Sequence, residues 1–388
     1  MSMNPLQQPF IDRFAESANP IRVFYAPGRV NLIGDHTDYS GGLVFPCAID
    51  SGTTMLIRKR DDDKVKLASM NFELMASLQP DELNQKYGDN WINYVLGVID
   101  QFRQRDIETT GFECLFSGNI PNGGGLSSSA SLEVVTAFAL NQVFDAGFSD
   151  IELVKMALAA ENDFVGLNCG IMDQYAVAMA KKGHAMMLDC NTLDCKQVPL
   201  TLDGHQIVIV NSNQRRDLVD SKYNERFEEC QQATRDMQKH LDITQLCEVT
   251  PEQLNAHLNH FSSDTVANRA KHVISEHNRV YEAVAALSNN ELKRFGQLMN
   301  QSHQSMSQHF EASTKIIDQL VNIALNAEGV IGARMTGGGF GGCTVNLVKE
   351  SAVPHFIDSV GKQYTEACGL TADFYPTLSD DGMRELHS

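Results

Sequence analysis

The chain has 388 residues, 43% hydrophobic and 21% charged, ordinary globular values that suggest two or three domains and a sizeable core. A formal charge of −18 argues against nucleic acid and anionic membrane as partners, so a site for a polyanion must be made locally positive by backbone dipoles, a few Arg or Lys side chains and metal. Nine scattered cysteines without a Cys-x-x-Cys pair, no signal-peptide pattern over residues 1–13 and no run of ~18 apolar residues point to a reducing, cytoplasmic setting.

Residues 1–20 read as a polar leader with a short helix over 10–15. Alternation predicts a strand over 21–26 that ends at Pro27-Gly28. A polar stretch from Arg29 to Gly42 follows, then strands over 43–49, 53–60 and 64–70, a helix over 91–102 and a strand over 111–117. That last strand leads into Pro121-Asn122-Gly123-Gly124-Gly125-Leu126-Ser127-Ser128-Ser129-Ala130-Ser131. The helix after this loop carries Leu132, Val135, Phe138 and Ala139 on one side, with Glu133 mostly away from it. Helices over 151–164 and 172–180 and strands over 185–200 and 206–211 complete a mixed first unit of about 205 residues. The second half is richer in helix, over 218–239, 265–287, 291–308, 315–326 and 352–367. Its strands, over 330–335, 344–348 and 372–375, suggest a ferredoxin-like split βαβ arrangement. The expected division is 1–205 and 206–388, packed closely because no clean linker separates them.

A glycine loop feeding a helix start is an anion site: free N–H groups point outward, the helix dipole favours negative charge, and serine hydroxyls add donors and an oxygen ligand for a hard cation. Gly123, Gly124, Gly125, Leu126, Ser127, Ser128 and Ser129 are therefore candidates for holding phosphate. The loop is not a Walker A sequence, since no Gly-Lys-Ser/Thr follows. Arg29, Asn31, Asp35, His36, Thr37 and Asp38 crowd ten residues with directional donors and acceptors, which suits a polyhydroxylated ligand or a self-capped polar turn. Asp173 sits just inside a helix start after Gly170, and Glu161 flanks an apolar stripe; each is either functional or decoration of a helix. Five glycines between Thr336 and Cys343 exceed the needs of a hairpin and imply a close backbone approach. Two such loops far apart in sequence suggest one site at a domain interface.

These stretches, in this order, resemble the three signature motifs of the GHMP small-molecule kinases. The run from Gly28 to Tyr39 is similar to the form found in the branch that phosphorylates galactose. The resemblance implies an α+β fold of two domains, an N-terminal ribosomal-protein-like βαβ domain and a C-terminal ferredoxin-like one, with the site between them. It implies ATP and Mg2+, phosphorylation of galactose at its anomeric hydroxyl as the opening step of galactose breakdown, and no obligate protein partner. By it Asp173 is the catalytic base and Arg29 lies at the transition-state end. Asp35, His36, Thr37, Asp38, Gly170 and Tyr223 bind the sugar, residues 123–129 hold ATP, Ser129 and Glu161 ligate Mg2+, and Trp91 lines the adenine pocket. The family usually has Glu where this chain has Asp35, so a direct sugar contact there is expected to become water-mediated. Two readings compete with this: a related kinase with another substrate, such as N-acetylgalactosamine, arabinose, mevalonate or homoserine, the last two disfavoured by the sugar-like first motif, and a ligand-sensing regulator of the same fold. Such a regulator resembles the family with a shortened serine loop, whereas Ser129-Ala130 is present here.

Overall fold

Pro27-Gly28 does not end the first strand. In the protein's structure, a computed structural model that describes residues 4–121, 124–214 and 219–387, β1 (Arg22–Asn31) runs through both residues. The pairing with its neighbour slips there: Pro27 faces Gly52 but Gly28 faces Ile49, so Asp50 and Ser51 bulge out of the ladder. Proline is tolerated at such a break. Arg29 and Asn31 thereby become strand residues held in a fixed register.

The remaining strands are β2 (Leu43–Val44), β3 (Pro46–Lys59), β4 (Val65–Ser69), β5 (Ala76–Leu78), β6 (Phe112–Gly118), β7 (His184–Asp189), β8 (Cys195–Pro199), β9 (His205–Asn211), β10 (Val330–Met335), β11 (Cys343–Lys349), β12 (Asp373–Thr377) and β13 (Arg384–Glu385). The two strands expected over 43–60 are mostly one, β3. The short β5 and β13 carry too few residues for periodicity to announce them. A six-stranded sheet has the order β13-β1-β3-β6-β4-β5, and β2, β7 and β8 form a smaller one. Helix α1 (Gln7–Phe14) covers one face of the large sheet through Phe10 and Phe14. On the other face lie α2 (Ile92–Arg103), α3 (Ser128–Val143), α4 (Asp150–Ala159) and α5 (Met172–Met179), which share one core with Phe24, Met55 and Ile57. The parallel pair β4 and β6, joined through α2, is the βαβ crossover of this half.

Helix α3 corrects an expectation. It is buried on nearly all sides, and Glu133, expected away from the core, is wholly inside. The helix lies between the sheet and its sister helices, so a second layer covers the face that would otherwise meet water. The helix expected over 151–164 also changes character: α4 gives way to a π-helical turn, Ala160–Val165, which carries Glu161 into the interior. Such widened turns are frequent at functional sites.

The second half contains α6 (Val219–Gln238), α7 (Pro251–His257), which the sequence reading missed, α8 (Asp264–Ser288), α9 (Leu292–Ser305), α10 (Lys315–Leu325) and α11 (Val353–Cys368). Its sheet is antiparallel throughout, in the order β10-β11-β9-β12. Strands that follow one another as β9, β10, β11 and β12 are thus laid out second, third, first, fourth, the split βαβ arrangement anticipated. The halves share a core in which Val30, Leu32 and Phe45 meet Val280, Phe295 and Val345. After β12 the chain crosses back, and β13 pairs with β1. Among the described residues no helix is long and apolar enough to cross a membrane.

Candidate active site

The phosphate-type loop, the first strand and α5 meet at one guanidinium. Arg29 Nε and Nη2 donate to the two Asp173 carboxylate oxygens at 2.8 and 2.7 Å, and Nη1 donates to the Gly125 carbonyl at 2.7 Å. The Arg29 backbone N–H donates to the Leu126 carbonyl at 3.2 Å. Ser127 stands where a helix cap would, yet its hydroxyl donates to Asp173 at 2.7 Å and makes no cap bond. Asp173 therefore accepts three charge-assisted or hydroxyl bonds that fix its plane. Arg29 is almost wholly buried, whereas Asp173 keeps 28% of its side-chain surface open to a cleft.

The glycine run of residues 337–342 closes against this loop. A Cβ on Gly337 would lie 2.7 Å from the Gly125 carbonyl oxygen, and Gly337 has φ +79°, so both contact and backbone require glycine. The two glycine-rich loops thus meet at one site between the halves. Gly124 and Gly125 belong to the loop, and the Leu126 side chain lies in the shared core, leaving its backbone as its contribution. Gly123 lies outside the described residues.

The cleft occupies about 170 Å³ and is lined by Arg29, Asp35, His36, Asp38, Glu161, Gly170, Asp173 and Tyr223, so most of the residues singled out in sequence converge. Sequence reasoning missed Asn168, Cys169 and Asn224 on the same wall, for which no pattern gave a signal. His36 holds a left-handed φ of +63°; its Nδ1 pairs with the Tyr39 hydroxyl at 2.7 Å, and its ring packs on Phe310 and Tyr223. Burial pushes this imidazole well below its ordinary pKa, so it is neutral. Asp38 is pushed up to about 7, first by burial and then by the Asp173 charge. Gly170 leaves Asp38 its space: a Cβ there would lie 2.2 Å from Oδ2. Thr37 departs from expectation. It is fully buried, its hydroxyl donates to the Gly34 and Leu43 carbonyls at 2.9 and 2.8 Å, and it is not among the cleft-lining residues, so its side chain holds the turn.

Asp35 is nearly fully buried, and protein groups take both its oxygens. Asn31 Nδ2 donates to Oδ1 at 2.6 Å, and the Arg334 guanidinium closes on Oδ2. Arg334, on β10, has no exposed surface and also donates to the Asn31 carbonyl at 3.0 Å. A lone arginine inside an apolar strand was the available signal, since a buried charge demands a partner.

Glu161 faces the cleft from the π-turn. Its carboxyl is raised by burial and by Asp173, against hydrogen bonds from Ser129, Cys169 and Gln174. A carboxylate and a hydroxyl already in contact form a hard oxygen pair that fits Mg2+. Among the described residues no three acidic, His or Cys side chains make a complete metal cage. A cation here would complete its shell with phosphate oxygens and water, as Mg2+ usually does. On the other side of the α3 start lies a second cavity of about 80 Å³, lined by Phe72, Trp91, Ser128 and Leu132 among others. The Phe72 and Trp91 rings are 17° from parallel with centroids 6.5 Å apart, and Trp91 Nε1 is buried with no partner among the described residues. A slot with aromatic faces and one spare donor suits a planar heterocycle. The start of α3 thus stands between a base-sized slot and a polar cleft.

Comparison with known proteins agrees with this layout. Residues 93–181 match the GHMP kinases N terminal domain, and residues 283–366 the GHMP kinases C terminal domain. A mevalonate kinase from Methanococcus jannaschii shares the fold at TM-score 0.69 and 21% identity, covering 94% of this chain and all of that one. The architecture is that of the GHMP kinases. Residues 8–59 match the galactokinase galactose-binding signature. The chain is 47% identical to the galactokinase of Clostridium acetobutylicum over 94% of its own length and 95% of the relative's. It is 46% identical to that of Bacillus subtilis over the same shares. The crystal structure of Lactococcus lactis galactokinase complexed with galactose superposes at TM-score 0.96 with 42% identity, covering 98% and 99% of the two chains. The chain belongs to the galactokinase family.

Proposed function

We propose that this protein transfers the γ-phosphoryl group of ATP to the anomeric hydroxyl of D-galactose, giving galactose 1-phosphate and ADP. The observation that carries this reading is the open face of Asp173, clamped by Arg29 and Ser127 between the loop at the α3 start and the cleft that holds Asp38. Near-full-length identity to galactokinases supports the choice of sugar.

ATP fits with its base in the slot of Trp91 and Phe72 and its phosphates over residues 124–129. Ser129 and Glu161 would hold Mg2+, which supplies charge neutralisation on the phosphates when bound. Asp38, His36, Tyr223 and the backbone at Gly170 would orient the sugar. Asp35 would back that wall from its bonds to Arg334 and Asn31 rather than reach far into it. The Asp173 carboxylate would accept the proton of the anomeric hydroxyl as that oxygen bonds to the γ-phosphorus. The bridging P–O bond breaks in the same step, ahead of full bond formation to the sugar oxygen, with its electrons going to ADP, and Asp173 later returns the proton to solvent. Little base strength is asked of the group that takes the proton where the transition state is loose and the nucleophile needs little activation. Arg29 also offsets the charge that develops between the two substrates.

We place the domain boundary near residue 205, where the chain enters β9 of the second sheet. Nine cysteines scattered without a Cys-x-x-Cys pair support a reducing compartment, the cytoplasm. A coupled ADP-release assay over galactose, glucose, arabinose, N-acetylgalactosamine and mevalonate tests the assignment. Galactose is expected to give the highest kcat/KM; turnover with glucose or mevalonate as fast as with galactose would overturn it.

A further inference from the structure

Two residues already bonded to each other each leave one buried oxygen without a partner among the described residues: Glu133 Oε1 and Gln174 Oε1. Both side chains are wholly buried. Gln174 Nε2 donates to Glu133 Oε2 at 3.1 Å and to Glu161 Oε2 at 2.6 Å, so its two N–H groups are spent. An ionised Glu133 would leave the Gln174 oxygen without a donor and add a second unmet acceptor. A proton on Glu133 removes both deficits. Its O–H would then be a donor for the Gln174 carbonyl oxygen while the observed Gln174 N–H bond to Glu133 Oε2 is kept, the two-point ring open to a carboxylic acid with a primary amide. Burial pushes Glu133 in the same direction, with Glu161 and then Asp173 adding like charge, against the Gln174 bond.

We infer that Glu133 keeps its proton and acts as a positioning residue: its ring with Gln174 fixes which way the amide points, and so holds the Glu161 carboxylate at the metal side of the site. An amide free to turn would present its oxygen to Glu161 and repel it. Gln174 also follows Asp173 on α5, so the same ring ties the metal-side carboxylate to the helix that carries the base. The metal role of Glu161 rests on the proposed function; the proton on Glu133 does not.

Infrared spectroscopy of the whole protein reads that proton directly. At pH ~8, far above the usual glutamate pKa of ~4.3, the wild type should show a protonated-carboxyl band that disappears in Glu133→Gln. Absence of that band overturns the proposal whether or not the protein is a kinase. Glu133→Gln, uncharged and still able to donate and accept, should keep the Mg2+ concentration for half activity within about threefold. Glu133→Met should raise it about tenfold or more, the usual scale for groups that orient metal ligands, with the KM for galactose unchanged within about twofold. A Gln variant as impaired as the Met variant, or a Met variant with wild-type Mg2+ dependence, would also overturn it. If Glu133→Met does not fold, the band and the Gln variant still decide. If Glu161→Gln leaves Mg2+ dependence unchanged, the metal reading of Glu161 fails, and with it the positioning role, while the band still reports the proton.

Discussion

Asp173 is held by a guanidinium and a hydroxyl, so its orientation does not depend on the sugar. Asp173→Asn keeps the shape but loses the ability to accept a proton, and general-base catalysis is worth roughly 10²–10⁴-fold. Turnover should fall by at least about a hundredfold while calorimetry still finds galactose binding. A kcat within about tenfold of wild type would remove Asp173 from that role. Asp38 gives a pH signature. Its folded pKa, pushed to about 7, lies above the unfolded value, so the stability it contributes is complete below about pH 4 and is lost as pH rises through 7. Asp38→Asn should therefore lose less stability than the wild type between about pH 5 and 8. Sugar hydroxyls donate best to the ionised carboxylate, so galactose should release a proton from Asp38 on binding at about pH 6 and none at about pH 8.5. Binding enthalpies in two buffers of different ionisation heat would read this. Equal buffer dependence at the two pH values would take Asp38 out of sugar contact.

At the scale of elements, the loop at the α3 start owes its placement to a second loop more than two hundred residues away. Gly337→Ala would place a methyl group 2.7 Å from the Gly125 carbonyl and strain a φ of +79°. Gly183→Ala imposes similar strain, φ +75°, with nothing within 4 Å of the new Cβ. Both variants should lose stability, by more than about 1 kcal/mol for Ala at a positive φ. Only Gly337→Ala should displace the phosphate-facing loop and raise the KM for ATP several-fold, leaving galactose affinity near wild type. Equal ATP kinetics in the two variants would show that the loop does not depend on this contact. The same logic explains why α3 misled a reading of its stripe. Glu133 has the periodicity of an outer face, but α3 has no outer face once α2, α4 and α5 pack around it.

At the scale of the molecule, the halves are joined by a shared core, by the return of β13 to β1, and by Arg334 reaching from β10 to Asp35. That last pair is buried, and removing one partner of such a pair typically costs ~3–5 kcal/mol, because the other charge is left without water or counterion. Arg334→Met should lower the urea midpoint correspondingly. Arg334→Met with Asp35→Leu should recover part of the loss, since an apolar replacement of both charges is often tolerated. An unchanged midpoint in Arg334→Met would mean that the pair does not hold the halves together. Asp35→Ala should in turn be more damaging than Asp35→Glu, through the stranded Arg334 as well as through any weakened contact to sugar. Urea midpoints and kcat/KM for galactose in both variants read the two effects.

The amino-acid sequence by itself determined the two glycine-rich loops, the polar run from Arg29 to Asp38 and the alternation of strands and helices, because backbone freedom, hydrogen-bonding capacity and periodicity are local properties. These were enough for the family and for most of the cleft. Partnership is not local. That Ser127 serves Asp173 instead of capping its helix, that Thr37 spends its hydroxyl on a turn, and that Asp35 is claimed by an arginine 299 positions away depended on how the halves pack. Tertiary structure alone settled these points, since a buried donor or charge takes whichever partner the fold brings within ~3 Å, and spacing along the chain carries no record of that distance.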